Sequence, residues 1–206
     1  MDLAVWFALI GLFFAGGLTP GPAVMLVMSS SLRYGFVRAL LPALGVSAAN
    51  LVWITLAATG AGALAARFPG PFFALKLVGR GFIAWLAWTM ATHDPDKPRA
   101  SADKAPPRAA LFGRGVGLQL ANPNALVFFG ALLPAYFDPD RSITTQAFII
   151  MATVTATEMA GLSAYAWAAD AMTHRFQSPS FLQTFNRVAA ALMLGSAVFA
   201  VIATSR

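Results

Sequence analysis

Apolar residues run along this chain in long blocks separated by short polar connections. The first block, Leu3 to Ser29, carries no charged side chain. A second covers about Val37–Leu64, with Arg33, Arg38 and Arg67 near its ends. A third, about Phe72–Thr92, follows the turn Pro69-Gly70-Pro71. Then comes a polar segment, His93 to Ala110, rich in Pro, Asp and Lys, which reads as an unstructured loop. Three more blocks follow at about Leu111–Leu133, Thr144–Ala169 and Leu182–Ala203. Uncharged stretches of about 20 residues are long enough to cross the hydrocarbon core as helices. The pattern predicts an all-α integral membrane protein with about six transmembrane helices.

Composition strengthens that expectation. The chain is 58% hydrophobic and 11% charged, whereas soluble domains carry about 25% charged residues. Met1-Asp2 supplies no basic leader, and the first apolar run is longer than the core of a cleaved signal. With no cysteine, disulfides, thiol catalysis and iron–sulfur ligation drop out. The net charge of +6 is explained by basic loops facing anionic lipid rather than by nucleic acid.

Those basic residues are unevenly divided. The connections after the first, third and fifth spans hold Arg33, Arg38, Lys97, Arg99, Lys104, Arg108, Arg114, Arg175 and Arg187. The other side holds Arg67, Arg141 and Arg206. Lys and Arg concentrate in cytoplasmic loops. The bias therefore places the odd connections in the cytoplasm and both termini in the periplasm.

Two of the apolar blocks are interrupted. "GGLTPGPAVMLVM" puts Pro20-Gly21-Pro22 inside the first, and "LANPNALVF" puts Asn122-Pro123-Asn124 inside the fourth. Proline removes an N–H and clashes with the preceding turn. Each break falls at a related place within its half of the chain. The halves are residues 1–92 and 111–206, joined by the loop 93–110. Three spans per half is an odd number, so the second half is expected inverted relative to the first. Discontinuous helices at matching positions of inverted repeats point to a transporter's binding site. Freed N–H groups suit a carboxylate, and freed carbonyls with Asn side chains suit an ammonium. A packing kink without a ligand is the competing reading, because Gly and Pro are frequent in membrane helices.

These residues resemble a known family. Thr19-Pro20-Gly21-Pro22 looks like the signature of the lysine exporter / homoserine–threonine resistance (LysE/RhtB) translocators. Leu75-Lys76-Leu77-Val78-Gly79 with Trp85-Leu86, Gly115 through Ala125, and Asn186-Arg187 with Gly195 resemble the family's later spans. The resemblance covers nearly the whole chain in the right order. It implies a small multi-pass protein of the bacterial inner membrane that exports amino acids, coupled to protons. The chain departs from the family pattern at Asn124, where lysine is common, at Asn50, where an acid or histidine is common, and at Arg80, where a small neutral residue is common.

Few polar groups lie within the spans. Glu158 is the only acid inside one, and an ionisable group at that depth must be paired, wetted or neutral. It reads either as a proton carrier or ammonium partner, or as the counter-ion of Arg80. Asn50 reads as a ligand group or as an interhelical hydrogen bonder. The candidate substrate site is Thr19, Pro20, Gly21, Pro22, Asn50, Asn122, Pro123 and Asn124, with Glu158 and Arg80 as the coupling or ion pair. Thr153, Thr155 and Thr157 share no single helical face, and most of them are expected to bond back to their own helix. His93 and His174 have no second ligand at metal spacing, so no metal or cofactor is expected. Ser29-Ser30-Ser31 has no adjacent base, and no phosphate-binding GKS or GKT occurs. The small-residue faces suit either the intramolecular core or a homodimer.

The leading function is a secondary exporter of a small neutral amino acid, with protons and the lipid bilayer as partners. A passive small-solute channel and a membrane-embedded enzyme are the alternatives. Zero cysteine and the lack of an intramembrane carboxylate pair argue against the enzyme.

Overall fold

The computed structural model describes residues 1–18, 21–60, 106–122, 128–138 and 140–175, with isolated positions at 81, 84, 85, 88, 92, 125, 183–185, 187, 188 and 191. Every regular element among the described residues is helical. The third and sixth apolar blocks fall mostly outside them.

The first apolar block forms two helices rather than one. Helix α1 spans Leu3–Leu18 and α2 spans Pro22–Tyr34. Gly21 precedes α2 in extended backbone, φ −132° and ψ −177°, and Pro22 takes the first helical position. Proline is well suited there, because its missing N–H would have no intrahelical partner anyway. At the far end, Gly35 closes α2 and opens α3, Phe36–Ala58, with φ +88°. That left-handed conformation favours glycine, and it lets the Gly35 N–H reach back to Ser31 O at 2.9 Å.

Helix α3 is the second apolar block and stops short of the expected Leu64. Its C-cap is Thr59, and Gly60 follows with φ +70°. Helix α4 spans Arg108–Ala121 and begins three residues before the expected Leu111. Pro107 holds its N-cap in extended backbone, so the helix starts as soon as the prolines end. Beyond α4 lie a π-helical turn, Phe128–Leu132, and a 3-10 turn, Leu133–Tyr136. Helix α5 spans Ile143–Arg175 and overruns the expected end at Ala169 by a turn and a half. Asp170 is not a stop signal here: its carboxylate accepts the N–H of Phe36 at 3.3 Å and caps the start of α3. Helices α3 and α5 are each long and apolar enough to cross a membrane.

The apolar contacts sort into two layers. In one, Val24, Met25, Leu26 and Val27 of α2 meet Ala39, Ala43 and Val46 of α3, Leu118 of α4, and Leu162 and Ala166 of α5. In the other, Leu9 of α1 meets Trp53, Ile54 and Ala57 of α3, Ala125, Phe129 and Leu133 after α4, and Ile150 and Val154 of α5. Phe13 and Phe128 pack edge to face with ring centroids 5.0 Å apart. The helix before each interruption and the helix after it thus sit in different layers. Outward-facing Phe7, Phe148, Trp167 and Trp88 are exposed, as side chains touching lipid would be.

Helices α3 and α4 touch backbone to backbone. A Cβ placed on Gly115 would fall on the Pro42 carbonyl, and one placed on Gly45 would fall on the Phe112 carbonyl. Small residues allow such close approach between membrane helices. Direct bonds tie α5 to the rest. Trp6 Nε1 donates to Thr153 Oγ1 at 2.9 Å, and Ser31 Oγ donates to Ala166 O at 2.6 Å.

A polar relay between two apolar layers

The glycine crossing brings short amide side chains within reach of each other. One turn or more past Gly45 stands Asn50, and one turn past Gly115 stands Gln119. Gln119 Nε2 donates to Asn50 Oδ1 at 2.7 Å. Asn50 Nδ2 donates onward to Glu158 Oε2 of α5 at 2.6 Å, and Ser47 Oγ adds a second donation to the same oxygen at 3.2 Å. On the other side, Asn122 Nδ2 donates to Gln119 Oε1 at 3.2 Å. The result is one directed chain from Asn122 through Gln119 and Asn50 to Glu158.

Helical spacing explains why these residues converge. Ser47 and Asn50 are three apart and share a face of α3, as Gln119 and Asn122 do at the end of α4. Asn122 itself leaves the helix with ψ 113°, in extended backbone. The following residue is proline, which disfavours helical backbone at the position before it. Trp53 Nε1 donates to the Gln119 carbonyl at 3.2 Å and fixes the last turn of α4.

The relay sits where the two layers meet. Glu158 lies between Val154 and Leu162, Asn50 between Val46 and Trp53, and Gln119 and Asn122 between Leu118 and Ala125. Asn50 and Gln119 are buried, at 2% and 6% exposure. Glu158 is partly exposed. Its donors both go to Oε2; no hydrogen bond to Oε1 occurs among the described residues. Among the described residues the acid therefore has one oxygen held by two donors and the other without a hydrogen bond.

Of the residues singled out in the sequence, Asn50, Asn122 and Glu158 come together here. Gly21 and Pro22 stand at the start of α2, next to the layer containing Val24. Thr19, Pro20, Pro123, Asn124 and Arg80 lie outside the described residues, and so does any pairing of Arg80 with Glu158. Thr153 and Thr157 bond back to the carbonyls of Ile149 and Thr153, each at 2.8 Å. Ser29 and Ser30 likewise donate to Leu26 O. Gln119, Ser47 and Trp53 were missed. The signal for the first two was in the sequence, because each precedes a selected Asn by three positions.

One acid held by neutral amides between apolar layers, beside an interrupted helix, fits a membrane translocator. Among the described residues it offers no cluster able to hold a metal. The chain belongs to the LysE type translocator family, whose model matches residues 5–204, and it is a transporter rather than an enzyme. It is 26% identical over 197 residues to a homoserine/homoserine lactone efflux protein of Salmonella typhimurium, covering 94% of each chain. It is 29% identical over 155 residues to a leucine efflux protein of Enterobacter, covering 73% of this chain and 72% of the relative. A membrane protein of Vibrio cholerae is 25% identical over 195 residues, 95% of each chain. No solved structure matches.

Proposed function

We propose that this protein exports a small neutral amino acid or analogue across the bacterial inner membrane, driven by protons. The observation that carries this reading is the relay from Asn122 to Glu158, which places one acid among neutral amides at the junction of the two layers. A single carboxylate suits one ammonium and leaves no second partner for a cationic side chain. The breaks after α1 and after α4 supply backbone groups for the substrate carboxylate. The efflux of homoserine or leucine by relatives supports the same substrate class. In this reading the chain is two inverted three-helix repeats, and opening alternates between the layers.

Purified protein in proteoliposomes is expected to exchange radiolabelled leucine or homoserine. An imposed proton gradient should drive accumulation of one of them against its own gradient. Downhill flux that ignores the proton gradient would instead identify a channel. Exchange of lysine in preference to both would overturn the neutral-substrate assignment.

Orientation is testable separately. The nine-to-three division of basic residues puts loop 93–110 in the cytoplasm and both termini in the periplasm. Because the chain has no cysteine, Ala102→Cys creates a unique thiol. In intact cells that thiol should resist a membrane-impermeant maleimide and react only after permeabilisation. Labelling in intact cells would reverse the topology.

A further inference from the structure

The relay has a direction that the transport reading does not use. Asn122 donates to Gln119, Gln119 to Asn50, and Asn50 to Glu158. A carboxylate can only accept, so it obliges Asn50 to present its NH₂, which turns the Asn50 oxygen toward Gln119. Gln119 must then present its own NH₂ and receive Asn122 on its oxygen. Every amide in the chain is oriented by the acid at its end.

We infer that Gln119 is a positioning residue that transmits the state of Glu158 to the helix break at Asn122. The inference rests on the proposed role of Glu158 and adds the element that senses it. Glu158 is on α5 and the break is at the end of α4; Asn50, on α3, touches the acid directly. Gln119 is the joint at which the signal passes onto α4, three residues before the break. When Glu158 binds a proton or an ammonium, it accepts less strongly from Asn50. Hydrogen bonds in a chain polarise one another, so the bond from Gln119 to Asn50 weakens with it. The side chain of Gln119 then holds Asn122 less firmly. The Gln119 carbonyl separately accepts both Trp53 Nε1 at 3.2 Å and the Asn122 N–H at 3.3 Å. Gln119 therefore holds the final turn of α4 by side chain and backbone together.

The test reads the break itself and needs no substrate. Amide hydrogen exchange is followed by mass spectrometry in peptides covering residues 118–126 of the purified full-length protein in detergent. In the wild-type background, Glu158→Gln should speed exchange there roughly three- to tenfold, the scale of one net hydrogen bond. Gln119→Met, which keeps the length but cannot donate, should speed it by a similar factor. Adding Glu158→Gln to Gln119→Met should then change nothing further. Gln119→Glu accepts from Asn122 but cannot donate to Asn50, and should behave as Gln119→Met does. If Gln119→Met does not fold, Gln119→Glu carries the same comparison. Full additivity of the two substitutions would overturn the inference, because the signal would then bypass Gln119. So would wild-type exchange in Gln119→Glu, or a break indifferent to Glu158→Gln. None of these readouts involves transport, so their failure leaves the exporter reading standing, and failure of the transport assay leaves this one standing.

Discussion

Glu158→Gln should abolish proton-driven accumulation while leaving substrate exchange intact. The geometry makes this substitution unusually clean. Asn50 and Ser47 both donate to Oε2, and the amide oxygen of a glutamine can accept both. Its NH₂ takes the place of Oε1, which has no hydrogen bond among the described residues. Packing and the identity of each hydrogen-bond partner therefore persist, the bonds from Asn50 and Ser47 weaken to neutral strength, and the ability to carry a proton is lost. In proteoliposomes with an imposed proton gradient, the accumulated substrate should fall to its equilibrium level. Counterflow without a gradient should continue. Retention of full accumulation would move the coupling group elsewhere. Loss of exchange together with accumulation would make Glu158 the partner of the substrate ammonium. The affinity loss would then be roughly tenfold or more, since a hydrogen bond to a charged group contributes about 1.5–3 kcal/mol.

Gly115→Val should damage the fold at the helix crossing. A Cβ at Gly115 would fall on the Pro42 carbonyl, which is backbone and cannot step aside as a flexible side chain could. Helices α3 and α4 must separate to admit it. Overpacking of this kind costs about 1–3 kcal/mol. For a chain of this size that corresponds to an apparent melting temperature lower by roughly 2–12 °C. Gly113→Val is the matched control. It lies in the same helix, and nothing stands within 4 Å of its added Cβ. It should leave the melting temperature unchanged or raise it slightly, since valine favours helix over glycine. Equal destabilisation by both would show that the close approach at Gly115 does not set the effect. Gly115→Val should also pull Gln119 away from Asn50, because their 2.7 Å bond spans the same two helices.

Parts of this arrangement were legible before any coordinates. Pro20-Gly21-Pro22 in a charge-free run announced the interruption, since proline's missing N–H acts locally. The resemblance to the LysE/RhtB translocators, carried by the same residues, pointed to the family. Glu158 and Asn50 stood out because polar groups at membrane depth are costly. Their union was not legible. It depends on a backbone approach between α3 and α4 that the sequence shows only as two ordinary glycines. Gln119 was not singled out, although it lies within the Gly115–Ala125 stretch that carried the resemblance. Its spacing from Asn122 was the available clue. The end of α5 was misjudged because Asp170 looks like a loop residue until its partner, the N–H of Phe36, is seen on another helix.

Helix α5 has a mechanical consequence. At 33 residues it is a rod of about 50 Å, and α1 and α2 are pinned to it at different heights. The pin from Trp6 lies at Thr153 and the pin from Ser31 at Ala166, about 20 Å apart along the rod. The joint between α1 and α2 falls between the two pins. Each of the two helices therefore has its own fastening to α5, like two shutters hung on a common post.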